Sequence, residues 1–117
     1  MDGAHGSNVQ IDSAKFARDK HLRKLIMQNL LTAKGYCANE DVLLSICDAN
    51  GYVQTKENLR GELKLLDDLA LVSTDVHQGC MVVRLTDRGQ DLMEDRFQLE
   101  EVARVRPDEL SSWMDRQ

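Results

Sequence analysis

A chain of 117 residues, 42% hydrophobic and 30% charged, matches a single globular domain with its own core, not a disordered segment. No apolar run approaches the ~18 residues that span a bilayer, and residues 1–10 lack the apolar stretch of a secretory signal, so no membrane partner and a cytoplasmic protein are expected. The formal net charge of −5 is segregated: −2 over residues 1–12, +5 over 13–38 and −8 over 39–117. An acidic total argues against nucleic acid as a partner, whereas a local basic segment argues for it.

Residues 1–12 are rich in Gly, Ser and Asn without periodicity and are expected to form a flexible leader. Asp12 or Ser13 then offers a helix cap, and Leu22, Leu25, Ile26, Asn29, Leu30 and Ala33 recur at helical spacing until Gly35. The outer face of this first helix is expected to carry Lys20, Arg23 and Lys24. Tyr36–Ala38 reads as a link to Asn39, a cap for a second helix with Glu40 and Asp41 in its first turn. Val42, Leu43, Ile46 and Cys47 form its apolar stripe, Asn50-Gly51 ends it, and Tyr52 with Val53 is expected to pin the turn to the core.

Thr55 caps the third helix, the clearest of the set, with Leu59, Leu63, Leu66 and Ala70 on one face. Glu57, Gly61, Lys64 and Asp68 lie opposite, with Arg60 beside them. Leu71–Asp75 has strand character, His77-Gln78-Gly79 supplies a turn, and Cys80–Leu85 is a second strand. Thr86 caps a last helix from Asp87 to at least Arg96, with Leu92 and Met93 inward. Beyond Phe97 either that helix continues, or Val102 and Val105 clip an extended segment to the domain. Pro107 ends both versions, and Trp113 is the large apolar residue of the tail.

The chemistry of catalysis is thin. His5, His21 and His77 have no local acid, serine or cysteine partner of a recognised hydrolase, and no phosphate-binding glycine motif occurs. Asp67-Asp68 and the group Asp91, Glu94 and Asp95 read as solvated faces. Cys37, Cys47 and Cys80 are odd in number and lack CxxC spacing, as expected of reduced thiols that behave as small apolar residues. No enzyme activity, cofactor or metal is expected.

The order helix, helix, helix, hairpin, helix becomes specific through its residues. Asn50-Gly51-Tyr52-Val53 leads into the leucine-bearing third helix, and Leu85-Thr86-Asp87-Arg88-Gly89 follows the hairpin. Residues 20–106 resemble the winged helix-turn-helix domains of bacterial repressors of the multiple-antibiotic-resistance and arsenical-resistance types. They also resemble small proteins of Mu-like phages and prophages. The resemblance implies an α+β, mostly helical fold of three helices, a two-stranded wing and a C-terminal helix. It would occupy residues 13–106, with 107–117 as a tail. The absence of cysteine between Thr55 and Val72 sets the chain apart from the metal-sensing repressors.

That resemblance implies double-stranded DNA as the ligand, a homodimer on paired half-sites, and a role in transcription regulation. The third helix would enter the major groove with Thr55, Lys56, Asn58, Arg60 and Lys64, with Asn58 and Arg60 suited to base edges and the lysines to phosphates. His77, Gln78 and Arg84 would supply wing contacts, and Lys20, Arg23 and Lys24 would reach flanking phosphates. Against this stands a third helix whose segment 55–70 totals −1, and a wing tip without Lys or Arg. The alternative is a winged helix that binds protein, as an adaptor or assembly factor, with the basic face of the first helix paired to the acidic last helix.

Overall fold

The structure is a computed structural model that describes residues 2–105, with side chains described from Ser13 onward. In chain order it comprises α1 (Asp2–Thr32), a 3₁₀ turn (Lys34–Tyr36), β1 (Cys37–Asn39), α2 (Glu40–Ala49), α3 (Lys56–Asp68), β2 (Val72–His77), β3 (Cys80–Leu85) and α4 (Asp87–Met93). The fold is α+β, in an arrangement compatible with that of a winged helix. Pro107 and Trp113 lie outside the described residues.

The three strands form one antiparallel sheet in the order β1-β3-β2. The hairpin turns at Gln78 (φ 52°) and Gly79 (φ 80°), both left-handed, the pairing that suits the twist of a two-residue connection. His77 opposes Cys80 and Val72 opposes Leu85. Strand β1 is a third member that the sequence does not announce, since Tyr36–Ala38 reads there as a link. Its three residues, Cys37 to Asn39, pair with Arg84, Val83 and Val82. So short a strand has no alternation of its own to reveal it.

Caps and stops account for the helix boundaries. The side chains of Asn39, Thr55 and Thr86 each accept from the backbone N–H three residues on, at Val42, Asn58 and Gly89. Three helices end in one hydrogen-bond pattern, in which the N–H groups of the first two residues past the cap reach back to carbonyls of the last turn. The pattern is Gly51 to Asp48 and Tyr52 to Cys47 after α2. It is Ala70 to Asp67 and Leu71 to Leu66 after α3, and Asp95 to Leu92 and Arg96 to Asp91 after α4. Ala70, expected in the core, is therefore exposed at φ 61°, and α4 stops at Met93 short of Arg96.

The inward stripe of α1 is Leu22, Arg23, Ile26, Met27, Leu30 and Leu31, rotated from the expected one: Leu25 and Asn29 are half-buried. The helix also starts upstream of the expected cap, at Asp2, and takes in residues expected to form a leader. In α2 the stripe is Glu40, Leu43 and Cys47, spaced i, i+3, i+7, so Val42 faces outward at 47% exposure. Val53, expected to pin the turn, is 70% exposed, and Tyr52 alone of that pair packs on the core. Leu59, Leu63 and Leu66 of α3 are fully buried as the leucine spacing implies. After α4 the extended alternative holds: Val102 and Val105 are buried, and Ala103 donates its N–H to the Lys20 carbonyl.

The Leu-Thr-Asp-Arg-Gly segment has a packing cause. The Thr86 N–H donates to the Leu71 carbonyl at 3.1 Å, its hydroxyl donates to the Ala70 carbonyl at 2.7 Å, and the same oxygen caps Gly89. These bonds draw α4 so close to the end of α3 that a Cβ on Gly89 would collide with the Leu71 carbonyl oxygen and lie 2.7 Å from Leu85 Cδ1. Gly61 of α3 faces open space. Urea unfolding is expected to show Gly89→Ala destabilised by about 1–3 kcal/mol through overpacking. Gly61→Ala is expected to be stabilised by about 1 kcal/mol through helix propensity.

Candidate nucleic-acid interface

The outward face of α3 follows from its leucine stripe. With Leu59, Leu63 and Leu66 buried, Lys56, Glu57, Gly61, Lys64 and Asp68 are left exposed. At the N-terminal end of this face lies a buried group, Glu40, whose side chain is fully removed from solvent. Its position in the i, i+3, i+7 stripe with Leu43 and Cys47 carries it inward, beneath α3 and against β3.

A buried carboxylate must find opposite charge and donors. Glu40 finds both. Arg60 Nε donates to Glu40 Oε1 at 2.6 Å and Arg60 Nη2 to Oε2 at 2.7 Å, a two-point pairing. The Met81 N–H of β3 donates to Oε2 at 2.6 Å, and Arg60 Nη2 also donates to the Gly79 carbonyl of the wing turn at 2.9 Å. One carboxylate and one guanidinium thus join α2, α3 and the wing. The Arg60 hydrogen bonds outweigh burial and, with the Met81 N–H, hold the Glu40 carboxyl down at about 2 from an ordinary 4.5.

The other expected contact residues are distributed unequally. Lys56 Nζ sits 2.9 Å from Asp41 in an exposed pair, a geometry of small net worth. Thr55 Oγ1 is occupied as the cap, and the Asn58 amide donates to Gln54 Oε1 at 2.7 Å. Lys64 is exposed on the same face. At the wing tip His77 lies 2.9 Å from Asp75, and Gln78 occupies the turn. Arg84 stands at the other end of β3, opposite Cys37, and donates to the Gly35 carbonyl at 2.9 Å, so it does not join the group at the turn.

Of the flanking candidates, Lys20 lies with its Nζ 5.3 Å from the Phe16 ring centre, and Lys24 lines an open cleft. Arg23 is a correction. It turns inward, its side chain 10% exposed, to pair with Glu62 of α3 at 2.6 Å and to donate to the Glu101 carbonyl at 3.0 Å. Its neighbours Leu22 and Ile26 set the buried face, and that carries Arg23 with them. The acids expected on the last helix pair locally instead, Asp91 and Glu94 with Arg96, and Asp95 with Arg104. The basic helix therefore meets acid on α3 at Arg23–Glu62.

This geometry can be set beside a known protein. Over 85 residues the chain is 35% identical to the uncharacterized protein gp26 of Escherichia phage Mu, an overlap covering 73% of this chain and 88% of that one. The chain belongs to the gp26 family. No family model matches the sequence, and no solved structure matches it. The expected resemblance to small Mu-like phage proteins is thereby met, and the surfaces described above are those of a member of that phage family. No helix among the described residues is long and apolar enough to cross a membrane.

The Glu40 pairing predicts an acid limb in stability. In the folded state Glu40 binds its proton far less readily than in the unfolded chain, so the unfolded state takes up more protons below pH 4.5. The contribution is complete above pH 4.5 and lost as pH falls toward about 2. Chemical unfolding measured across that window is expected to give a flatter profile for Glu40→Gln than for the native chain. Arg60→Met is expected to destabilise more than Glu40→Gln, because it strands a buried charge.

Proposed function

We propose that this member of the phage family binds double-stranded DNA through α3 and the wing, as a small transcriptional regulator that works as a dimer. The observation that carries this reading is the bond between Arg60 and the Gly79 carbonyl. With the Glu40 pairing it holds the helix and the hairpin turn as one continuous surface. Lys56 and Lys64 lie on that surface, and the N-terminus of α3 supplies backbone donors for phosphate. The basic segment 13–38 supports the same reading from α1.

The Arg60 bonds bear on what kind of DNA contact this would be. Nε and both Nη2 hydrogens are directed to Glu40 and Gly79, which leaves the Nη1 pair for a ligand. A two-point contact to guanine needs two neighbouring nitrogens of the fork. Arg60 in this arrangement suits a phosphate or a single acceptor, and sequence discrimination would fall to Asn58 and to DNA shape.

A second reading has its own observation. Lys56 is countered by Asp41 and Arg60 by Glu40, and Gly61 leaves open space on a face that also carries Glu57 and Asp68. A mixed-charge face with room for close approach suits a protein partner, for which the chain would act as an adaptor.

Fluorescence anisotropy with labelled duplex DNA over a salt series separates the two. The DNA reading predicts binding that weakens steeply with salt. Lys56→Ala with Lys64→Ala should lower the logarithmic salt slope by about 2, at roughly 0.9 for each phosphate no longer neutralised. Wild type that shifts no duplex at low ionic strength would end this reading in favour of the protein partner. Arg60→Ala is the wrong probe, since it also strands Glu40.

A further inference from the structure

Asn58 stands in the first turn of α3, three residues past the Thr55 cap, and its side chain is exposed. The amide does not swing freely, because Nδ2 donates one hydrogen to Gln54 Oε1 at 2.7 Å. Gln54 is itself held at its inner end. Its Nε2 is shut off from solvent, with the buried Cys47 thiol beside it. One turn along α3 the neighbour of Asn58 is Gly61, and the space that a side chain would fill there is open. Glycine is a poor helix former. Packing against the described residues does not require it at 61, in contrast to Gly89.

From this we infer that Asn58 reads adenine in the major groove, held for the contact by Gln54 and reached through the gap at Gly61. The inference rests on the DNA reading given above and adds to it the base that α3 selects. With one Nδ2 hydrogen committed to Gln54, the carboxamide of Asn58 presents one N–H donor beside one carbonyl acceptor. The major-groove edge of adenine presents the complement, an acceptor at N7 and a donor at N6. Guanine presents two acceptors there, N7 and O6, so Asn58 Oδ1 would face an oxygen and go unpaired.

The position on the helix suits the task, since residues near the N-terminus of a recognition helix are those that reach base edges. Gln54 touches Asn58 and not the base, so it is a positioning residue. By holding the amide before the duplex arrives, it spares the ordering cost that a free side chain would meet on binding. Gly61 then has a use that packing does not supply, because a side chain there would stand between Asn58 and the floor of the groove.

Selection from a random pool of duplexes of roughly 20 base pairs tests this. Wild type is expected to enrich a sequence with at least one fixed A·T pair. In fluorescence anisotropy, exchanging that pair for G·C should weaken wild type on the order of tenfold, the size of a two-point base contact. Replacing its adenine by 7-deazaadenine, which lacks the N7 acceptor, should weaken binding in the same direction. Asn58→Ala is expected to bind all three duplexes within about twofold of one another, with the salt slope of wild type. Gln54→Ala should lose much of the A·T preference and keep the salt slope, a split that a loss of folding would not produce. Gly61→Leu should bind the selected duplex more weakly than wild type while melting no lower. If the pool yields no fixed A·T pair, or Asn58→Ala keeps the full preference, Asn58 is no adenine reader, and salt-sensitive binding by wild type leaves the α3 reading standing. If wild type itself binds no duplex at low salt, both are overturned.

Discussion

Glu40 is a carboxylate with no access to water, and the arrangement of α2, α3 and the wing follows from satisfying it. Left alone in that position the charge would cost several kcal/mol of desolvation. Arg60 and the Met81 N–H answer it from two different elements, so the charge is stable only while α3 and β3 both keep their places. Leucine burial brings α3 onto the core but would tolerate some sliding. The carboxylate permits little, because a two-point ion pair has a narrow geometry.

The same interaction shapes the outer surface. It takes Arg60, which stands among the exposed polar residues of α3, and ties most of its donors to protein. It also draws the wing turn against the helix through the Gly79 carbonyl. A ligand on this face therefore meets helix and turn in a fixed relation. Arg23 does related work, joining α1 to Glu62 of α3 and to the Glu101 carbonyl of the segment after α4. Arg23 and Arg60 each tie peripheral elements to the leucine core.

Much of the fold was legible where local chemistry decides it. The three caps at Asn39, Thr55 and Thr86, the Gly51 stop, the α3 leucines and the hairpin turn each have a short-range cause, and each lies where the sequence places it. Local chemistry does not decide the outcome where packing chooses between nearly equal faces. Apolar residues on α1 admit two stripes, and the real one includes Met27, Leu31 and a charged Arg23. Ala70 fits the leucine period, yet the chain leaves the helix there with a left-handed residue that is usually glycine. The site was less legible than the fold. Arg60 was visible as an arginine on the third helix, but its partner is twenty residues away and has the look of a helix-start acid. The signal was present in the spacing of Glu40 with Leu43 and Cys47, which puts a carboxylate on a buried stripe and so demands a cation.

The amide proton of Met81 reports on the Glu40 pairing most directly. It lies 2.6 Å, nitrogen to oxygen, from the carboxylate, in the strand next to the wing turn. In a proton–nitrogen NMR titration the account predicts a Met81 amide shifted by a charged acceptor and protected from exchange, holding its position from neutral pH through 4.5 and moving only as pH approaches about 2. A Met81 amide that titrates near 4.5, or exchanges as freely as the exposed wing turn, would contradict it.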